Sequence, residues 1–522
     1  MLAAGLLAVL GTTVPPSLGA PPTPTSLPGT ARDVDVAVNA AGVAAMTWTQ
    51  VSPDSTSAPT YLSTRAPGRG WGAARLVSDA SAATESSQVE VARDGRVMAA
   101  WVEHHGERSR VRYRTYAANG TAGAQRTALA CSRNRLTDLD LDVTPAGRAA
   151  IAVTDFTGHR PLGAVGTVAG LGPARVLRSG ARGSWSPQVE LSDSGDALFV
   201  WESEVGDDHL VESRAWPADA APGPVAVVAG GAGRAARNPV LAMAPAGPAV
   251  VVLAHDAADT GPQVRYAARD VAGGFGSGGW SAVGLVSREG EATLDRSYAA
   301  VLTGPRSAVA AYTTAAGDVV TAALAAPGSA FAGHQRVSAW NDGRGGTPSL
   351  SLSPTGAVVV AFASRTRDAY SGNAAVRRSG AASFGVTMRS TAPGTTSGTN
   401  AVGALDDQGN AYIAWLTAGC TTCPSARSTL RELGYDVVAP TLTGVRAPRR
   451  LRRGVRGTLA VLGVRDRVSA VRVRWQFGDG TSAAGATVRK AWRQRGARTV
   501  TVVLTDAAGN TTRRSVLVRV TG

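Results

Sequence analysis

Seven segments of this chain repeat one pattern that restricts the folds available to it. Each segment has an alternating apolar run, a tight turn ending in glycine, and a second apolar run that closes on a large residue. The turn glycines are Gly42, Gly95, Gly147, Gly195, Gly247, Gly356 and Gly409. The large residue follows six positions later, as Trp48, Trp101, Val153, Trp201, Leu253, Phe362 and Trp415. An eighth copy has Tyr312 in this slot and Arg306 where glycine would stand.

This repeat predicts strand hairpins that pack on one another. Glycine permits the positive φ that a tight hairpin turn requires, and alternation directs one face of each strand into a core. Two further short strands follow in several copies, and four strands per roughly 50 residues are typical of a β-propeller blade. A string of Ig-like sandwiches would need about seven strands per 100 residues. We therefore predict an all-β chain with a propeller of seven or eight blades over residues 33–438.

How such a propeller closes stays open at this point. The last copy lacks an obvious fourth strand, and the residues before Asp33 are too rich in proline to supply one. Eight blades are the favoured number, and seven blades with one degenerate copy are the alternative.

The N-terminal residues resemble a secretory signal peptide. The apolar run from Met1 to Leu10 is too short to span a bilayer, and small residues and a Pro/Thr-rich stretch follow it, although a basic start is missing. We expect a signal peptide at residues 1–20, a linker at 21–32, and a secreted or cell-surface chain without a membrane span. Cys420 and Cys423 then favour a local disulfide, with a redox motif or half a metal site as alternatives.

A different pattern begins near residue 440. The distinguishing features are Trp475, the "FGDG" turn at 477–480, Gly496 before "ARTVTVVLTD", and the "DAAGN" turn at 506–510. With these features, residues 440–522 resemble the polycystic kidney disease (PKD) domain, an Ig-like β-sandwich. The resemblance implies a spacer or adhesion module without catalytic residues. Where the family usually has His-x-Tyr, this chain has Lys490-Ala491-Trp492.

The net charge of +15 belongs entirely to this C-terminal segment. Residues 441–522 contain 18 lysines and arginines but three acidic residues, whereas the rest of the chain is balanced. The densest basic run, "RAPRRLRRGVR" at 446–456, supplies the polyanion-binding candidates Arg449, Arg450, Arg452, Arg453 and Arg456. These arginines are either a solvated strand edge that blunts further pairing or a true polyanion contact.

Polar residues just after the large repeat residues are the catalytic candidates. If they emerge at equivalent hairpin tips, carboxylates beside histidines could serve acid–base chemistry on a glycan. The candidates are Glu103, His104, Asp155, Glu202, Glu204, His255 and Asp256. The simpler interpretation is that hairpin tips are polar because they contact water. No established catalytic motif accompanies the candidates, and the Asp-box of sialidases is absent.

Three functional hypotheses follow. The leading one is a secreted, non-catalytic protein that binds a glycan, a cell-surface polymer or a protein, with the basic module as anchor. The alternative is an extracellular polysaccharide-active hydrolase or lyase that uses acids on one propeller face. Nucleic-acid binding is a third, less favoured because no aromatic residues alternate with the arginines. No cofactor is predicted, although Asp479 and Asp506 in turns could hold Ca²⁺, and the oligomeric state stays open.

Overall fold

The computed structural model describes residues 30–52, 56–106, 108–131, 135–231, 233–257, 261–271, 274–326, 328–338, 344–366, 369–385, 387–389, 396–398, 401–418 and 429–522. These residues form an all-β structure whose one helical element is the 3-10 turn Phe275–Ser277. They fall into two compact units that divide between residues 434 and 435. No described helix is long and apolar enough to cross a membrane. The predicted signal peptide and the pair Cys420 and Cys423 lie outside the described residues.

In the larger unit, the described strands form eight consecutive sheets built mainly of antiparallel pairs. The first sheet contains β1 (Thr30–Val38), β2 (Ala44–Val51), β3 (Thr60–Arg65) and β4 (Arg75–Leu76), and the second contains β5 (Ala83–Val91), β6 (Val97–His105), β7 (Arg108–Tyr116) and β8 (Arg126–Cys131). The third sheet contains β9 (Leu136–Val143), β10 (Arg148–Asp155), β11 (Arg160–Thr167), β12 (Gly170–Leu171) and β13 (Arg175–Val176). The fourth sheet contains β14 (Gly183–Leu191), β15 (Ala197–Val205), β16 (Asp208–Trp216) and β17 (Val225–Gly230).

The remaining four sheets follow the same order. The fifth sheet contains β18 (Ala236–Met243), β19 (Ala249–Ala257), β20 (Gly261–Arg269) and β21 (Gly284–Leu285), and the sixth contains β22 (Thr293–Gly304), β23 (Ser307–Thr314), β24 (Val319–Leu324) and β25 (Ala332–Arg336). The seventh sheet contains β26 (Arg344–Gly345), β27 (Ser349–Leu352), β28 (Val358–Thr366), β29 (Ala369–Arg377) and β30 (Met388–Arg389). The eighth sheet contains β31 (Thr396–Gly398), β32 (Val402–Leu405), β33 (Ala411–Ala418) and β34 (Thr429–Tyr435).

The first strands of these sheets form a closed ring. Strands β1, β5, β9, β14, β18, β22, β27 and β32 contact one another in this order, and β32 contacts β1. The ring closes by apolar packing between sheets, since Val36, Met46 and Trp48 of the first sheet form one cluster with Ala404 and Ala414 of the eighth. Among the described strands of the eighth sheet, β31, β32 and β34 each pair with β33.

The repeat pattern has the structural role that the sequence predicts. All seven turn glycines have positive φ, between 81° and 99°. All eight large residues are buried, none more than 2% exposed. Trp201, for example, packs on Ala150, Ala152 and Leu177 of the preceding sheet. Each large side chain therefore fills the space between adjacent sheets.

A bulge in the first strand recurs in six consecutive sheets. At each bulge the pairing register shifts, and a residue other than glycine has a positive φ between 48° and 57°. These residues are Asp33, Ser86, Asp138, Ser186, Asn238 and Arg296. A positive φ is costly for residues with a side chain, so the surrounding structure must hold it. For example, the backbone N–H of Ser86 donates to Asp33 Oδ2 of the preceding sheet (3.0 Å).

The smaller unit is a two-sheet sandwich. One sheet has the order β35 (Gly444–Arg446), β37 (Gly457–Leu462) and β40 (Thr487–Lys490). The other has the order β36 (Arg450–Arg452), β42 (Thr511–Thr521), β41 (Gly496–Thr505), β38 (Arg472–Gln476) and β39 (Ser482–Ala484). As predicted, Trp475 and Phe477 face the core and Gly478 and Gly480 have positive φ. Trp492, in the segment that departs from the family pattern, is also a core residue.

Candidate functional site

Carboxylates and amides cap the inner edge of the ring. The first strand of each sheet has a hydrogen-bonded neighbour on one side only. The backbone N–H groups on its other edge would therefore lack partners. Side chains of the preceding sheet accept hydrogen bonds from these groups. The described bonds run from Val89 N to Asp35 (2.9 Å), Leu141 N to Gln88 (2.6 Å), Val189 N to Asp140 (2.7 Å), Leu191 N to Asp142 (2.6 Å) and Leu241 N to Gln188 (2.6 Å).

Five carboxylates are concentrated on this edge in the first four sheets. These inner carboxylates are Asp35, Glu90, Asp140, Asp142 and Glu190, and among the described residues none of them forms an ion pair. Burial raises the pKa of Asp35 and of Asp142 to about 6, and that of Asp140 to about 7. Burial, and then repulsion from neighbouring carboxylates, raises the pKa of Glu90 and of Glu190 well above the usual value.

Sequence reasoning missed the inner carboxylates, although a signal exists. They stand five or seven positions before a turn glycine, where the other sheets have neutral residues such as Val240. The pattern of polar residues is thus specific to one half of the ring.

The candidate acids Glu103 and Asp155 are buried, with no exposed side-chain surface. Glu103 accepts hydrogen bonds from Arg110 (2.6 Å) and Trp101 Nε1 (3.4 Å), and its Oε1 lies 2.5 Å from His105 Nε2. Burial acts to raise the pKa of Glu103, but the bonds with His105 and Arg110 outweigh it and hold the pKa below its usual value. Asp155 accepts from Arg160 Nε (2.9 Å).

The remaining candidates do not assemble into one cleft. His104 lies beside Ser109 Oγ (2.8 Å), Glu204 is partly exposed, and Asp256 is exposed. His255 is 8% exposed, and burial, assisted by Arg265, lowers its pKa.

The expectation of exposed hairpin tips is wrong for Glu103, Asp155, Glu202 and His255, which are all buried. Side chains alternate along a strand, so a residue two positions after a packed large residue lies on the same face. That face is still buried at Glu103, Asp155 and His255. Glu202 lies on the opposite face, where the next sheet covers it.

Glu202 nevertheless belongs to the most site-like cluster of the ring. Its Oε1 lies 3.2 Å from His209 Nδ1, and its Oε2 accepts from the backbone N–H of Asn238 (3.0 Å). The imidazole of His209 stacks on the partly exposed indole of Trp185, with ring centroids 6.4 Å apart. A methyl group at Gly183 would collide with this indole. The cluster combines an aromatic surface with a histidine and a carboxylate.

A basic cavity of about 330 Å³ lies between the third and fourth sheets. Its lining includes Arg160, Arg178 and Arg214. Arg160 is bonded to Asp155, Arg178 lies 3.1 Å from Glu212, and Arg214 donates to the carbonyl of Leu177 (2.9 Å). Internal partners therefore engage the guanidinium groups of this cavity.

The arginine run of the smaller unit forms the edge strand β36. This strand pairs in parallel with β42, so that Leu451 lies opposite Val520 and packs against the core. The candidates Arg449, Arg450, Arg452, Arg453 and Arg456 are all exposed. Part of the run therefore forms an edge strand of the sandwich.

Three carboxylates of the smaller unit could hold a metal ion. One oxygen from each of Asp436, Asp466 and Asp506 lies within 4.8 Å of the others. Burial, followed by repulsion from the other two carboxylates, raises the pKa of Asp436 to about 6. Asp479, which the sequence grouped with Asp506, instead pairs with Lys490 (2.7 Å).

Comparison with known proteins identifies the smaller unit. Residues 437–521 match the family model of the PKD domain. The Ig-like domain that the sequence resembles is therefore present. No curated protein matches the chain in sequence.

Several solved structures are similar to this chain. A Dyadobacter fermentans protein of unknown function is 9% identical, with a TM-score of 0.38, and the match covers 80% of this chain and 97% of that protein. An α-L-arabinanase from Penicillium chrysogenum is 13% identical, with a TM-score of 0.38, over 65% of this chain and 94% of the enzyme. The NanB sialidase of Streptococcus pneumoniae is 8% identical, with a TM-score of 0.37, over 67% of each chain.

Proposed function

We propose that this chain is an exported, non-catalytic binding protein, with an eight-bladed propeller at 33–438 and a PKD-type module at 440–522 that binds an anionic polymer. The observation that carries the proposal is the charge distribution. The module holds the whole net charge of +15, and all five candidate arginines of its basic run are exposed. Clusters of lysine and arginine attract polyanions electrostatically, and salt screens this attraction.

The buried acids of the ring support a binding role over catalysis. Glu103 and Asp155 are held by arginines and have no exposed side-chain surface. A substrate could reach neither carboxyl without displacing its partner. The propeller then offers a face for a glycan or protein ligand. We further propose that the chain is exported and that Cys420 and Cys423 form a disulfide.

Retention of the full-length chain on immobilised heparin tests the anchor. We expect binding at low salt that weakens steeply as salt rises, because exposed arginines lose attraction when screened. Replacing Arg449, Arg450, Arg452, Arg453 and Arg456 by glutamine should lower the eluting salt concentration. Failure of the unmodified chain to bind at low salt would reject the proposal.

One cluster favours a second function, that of a polysaccharide-active hydrolase or lyase. Glu202, His209 and the exposed part of Trp185 offer a carboxylate, an imidazole and a sugar-stacking surface together. If this cluster is catalytic, the chain should cleave a polysaccharide, measured as new reducing ends or unsaturated ends, and Glu202→Gln should abolish cleavage. Asp256→Asn, at an exposed acid outside the cluster, is the matched control. Cleavage that survives Glu202→Gln would exclude this role for the cluster.

A further inference from the structure

The outer face of the five-stranded sheet in the smaller unit is a second and larger basic surface. We define the outer face as the solvent-directed side chains of β36, β42, β41, β38 and β39. Its orientation is clear from the opposite face, where Val500, Val502 and Val518 are buried in the core. The alternate residues of the same strands therefore point to solvent.

Arginines occupy both ends of this face. Arg450 lies directly opposite Arg519 at one end. At the other end Val503 of β41 lies between Arg513 of β42 and Arg474 of β38. Arg513 and Arg519 are six positions apart on one strand, which places the two ends about 20 Å apart. With Arg452 and Arg472, the face carries six arginines, all of them exposed.

These charges are not neutralised within the module. Among the described residues, none of the six arginines has an ion pair. The acids Asp466, Asp479 and Asp506 lie outside the five strands, and Asp479 is engaged by Lys490. Like charges placed directly opposite in a sheet destabilise the pairing. An external polyanion would remove the repulsion between Arg450 and Arg519.

The centre of the face has the chemistry of a sugar-binding surface. Thr501 and Ser515 share a hydrogen bond between their hydroxyls (2.8 Å), and Thr499 lies opposite Leu517. Leu517 is 64% exposed, the most exposed large hydrophobic side chain of the described residues. Hydroxyls can bond to sugar hydroxyls, and an exposed leucine can contact the apolar face of a pyranose ring.

The same composition disfavours single-stranded nucleic acid. Sequence-independent binding of single strands combines basic grooves with aromatic side chains on which bases stack. The outward residues of the five described strands include no aromatic side chain. The face is also a sheet surface and not a groove.

From this arrangement we infer that the outer face binds a linear polysaccharide bearing sulfate or carboxylate groups, which contacts arginines at both ends and lies across Leu517. The inference rests on the proposed function and assigns the contact to Arg474, Arg513 and Arg519 in addition to Arg450 and Arg452 of the basic run. A polymer long enough to span both ends binds more tightly than a fragment that reaches one.

Two triple variants of the full-length chain test the inference. The first is Arg474→Gln with Arg513→Gln and Arg519→Gln. The control removes the same charge from exposed positions off the outer face, by Arg446→Gln with Arg465→Gln and Arg489→Gln. Binding to heparin and to polygalacturonate is measured across salt concentrations. We expect the first variant to lose about half of the dependence of log K on log salt, and the control to change little.

A third variant distinguishes the apolar contact at Leu517 from the electrostatic attraction of the arginines. Leu517→Asn should weaken binding of both polysaccharides while leaving the salt slope unchanged, because an apolar contact is not screened. Equal losses of salt dependence in the two triple variants would contradict the assignment of binding to the outer face, and the proposed function would remain. Tighter binding of a single-stranded oligonucleotide than of both polysaccharides at matched salt would overturn the polysaccharide assignment. No binding by the unmodified chain would reject the proposed function itself.

Discussion

Replacing Asp140 by asparagine should stabilise the ring of sheets at pH 7.5, by about 1–3 kcal/mol after allowance for partial solvent screening. Burial raises the pKa of Asp140 to about 7, so its charge is unfavourable in the folded state. Asparagine keeps the acceptor that binds Val189 N, as the amides of Gln88 and Gln188 do for neighbouring strands. Denaturant unfolding of variant and parent at fixed pH measures the gain.

The pH dependence of this gain is the specific signature. The folded-state pKa of Asp140 is raised above its unfolded value of 3.8, so protonation favours the folded chain. The stability that the neutral carboxyl contributes is fully present below that value and is lost as pH rises to about 7. The gain from Asp140→Asn should therefore be small at pH 4 and complete above pH 7. An equal gain at both pH values would contradict the electrostatic cause.

Two other carboxylates extend the comparison. Glu190→Gln should also stabilise the protein at pH 7.5, because repulsion from Asp140 and Asp142 adds to the effect of burial. Glu103→Gln should destabilise it, since His105 and Arg110 bind the ionised form of Glu103. Two acids on the same ring thus respond in opposite directions, according to their partners.

The features that the sequence predicts correctly are local or periodic. A turn glycine six positions before a large residue reports a hairpin and its buried face, whichever sheet it belongs to. The turns at Gly42 and Gly409 therefore conform to the prediction although they lie at opposite ends of the repeat. The PKD resemblance is similarly local, because Trp475 and the "FGDG" turn belong to one hairpin.

The features that it misses depend on neighbours from other repeats. From the sequence Glu103 is expected to be an exposed polar residue, yet it is fully buried and pairs with Arg110 of the next strand. In the sequence, the inner carboxylates occupy the polar positions of alternating strands. Their role as caps depends on the edge strand of the next sheet, which the sequence pattern does not reveal. The bulge residue Asn238 escapes notice because its positive φ is set by contacts with Glu202 and Asp295 from two other sheets.

Trp201→Ala should cost about 3–5 kcal/mol of the free energy of unfolding, as large truncations in closely packed cores do. The indole is fully buried against Ala150, Ala152 and Leu177, and the two alanines are too short to fill the cavity. Its Nε1 donates to Ser203 Oγ (2.9 Å) and Glu212 Oε2 (3.2 Å), so truncation also removes a buried donor from a carboxylate. Denaturant unfolding at pH 7.5 measures the loss.

Phe156→Ala is the matched control, because that ring is 48% exposed and follows the equivalent strand of the third sheet. Its truncation should change stability by less than about 0.5 kcal/mol. Trp201→Phe should cost an intermediate amount, since it retains an aromatic ring and loses the bonds to Ser203 and Glu212. A loss at Trp201→Ala no greater than that of the control would contradict the assignment of the repeat's large residue as the element that holds adjacent sheets together.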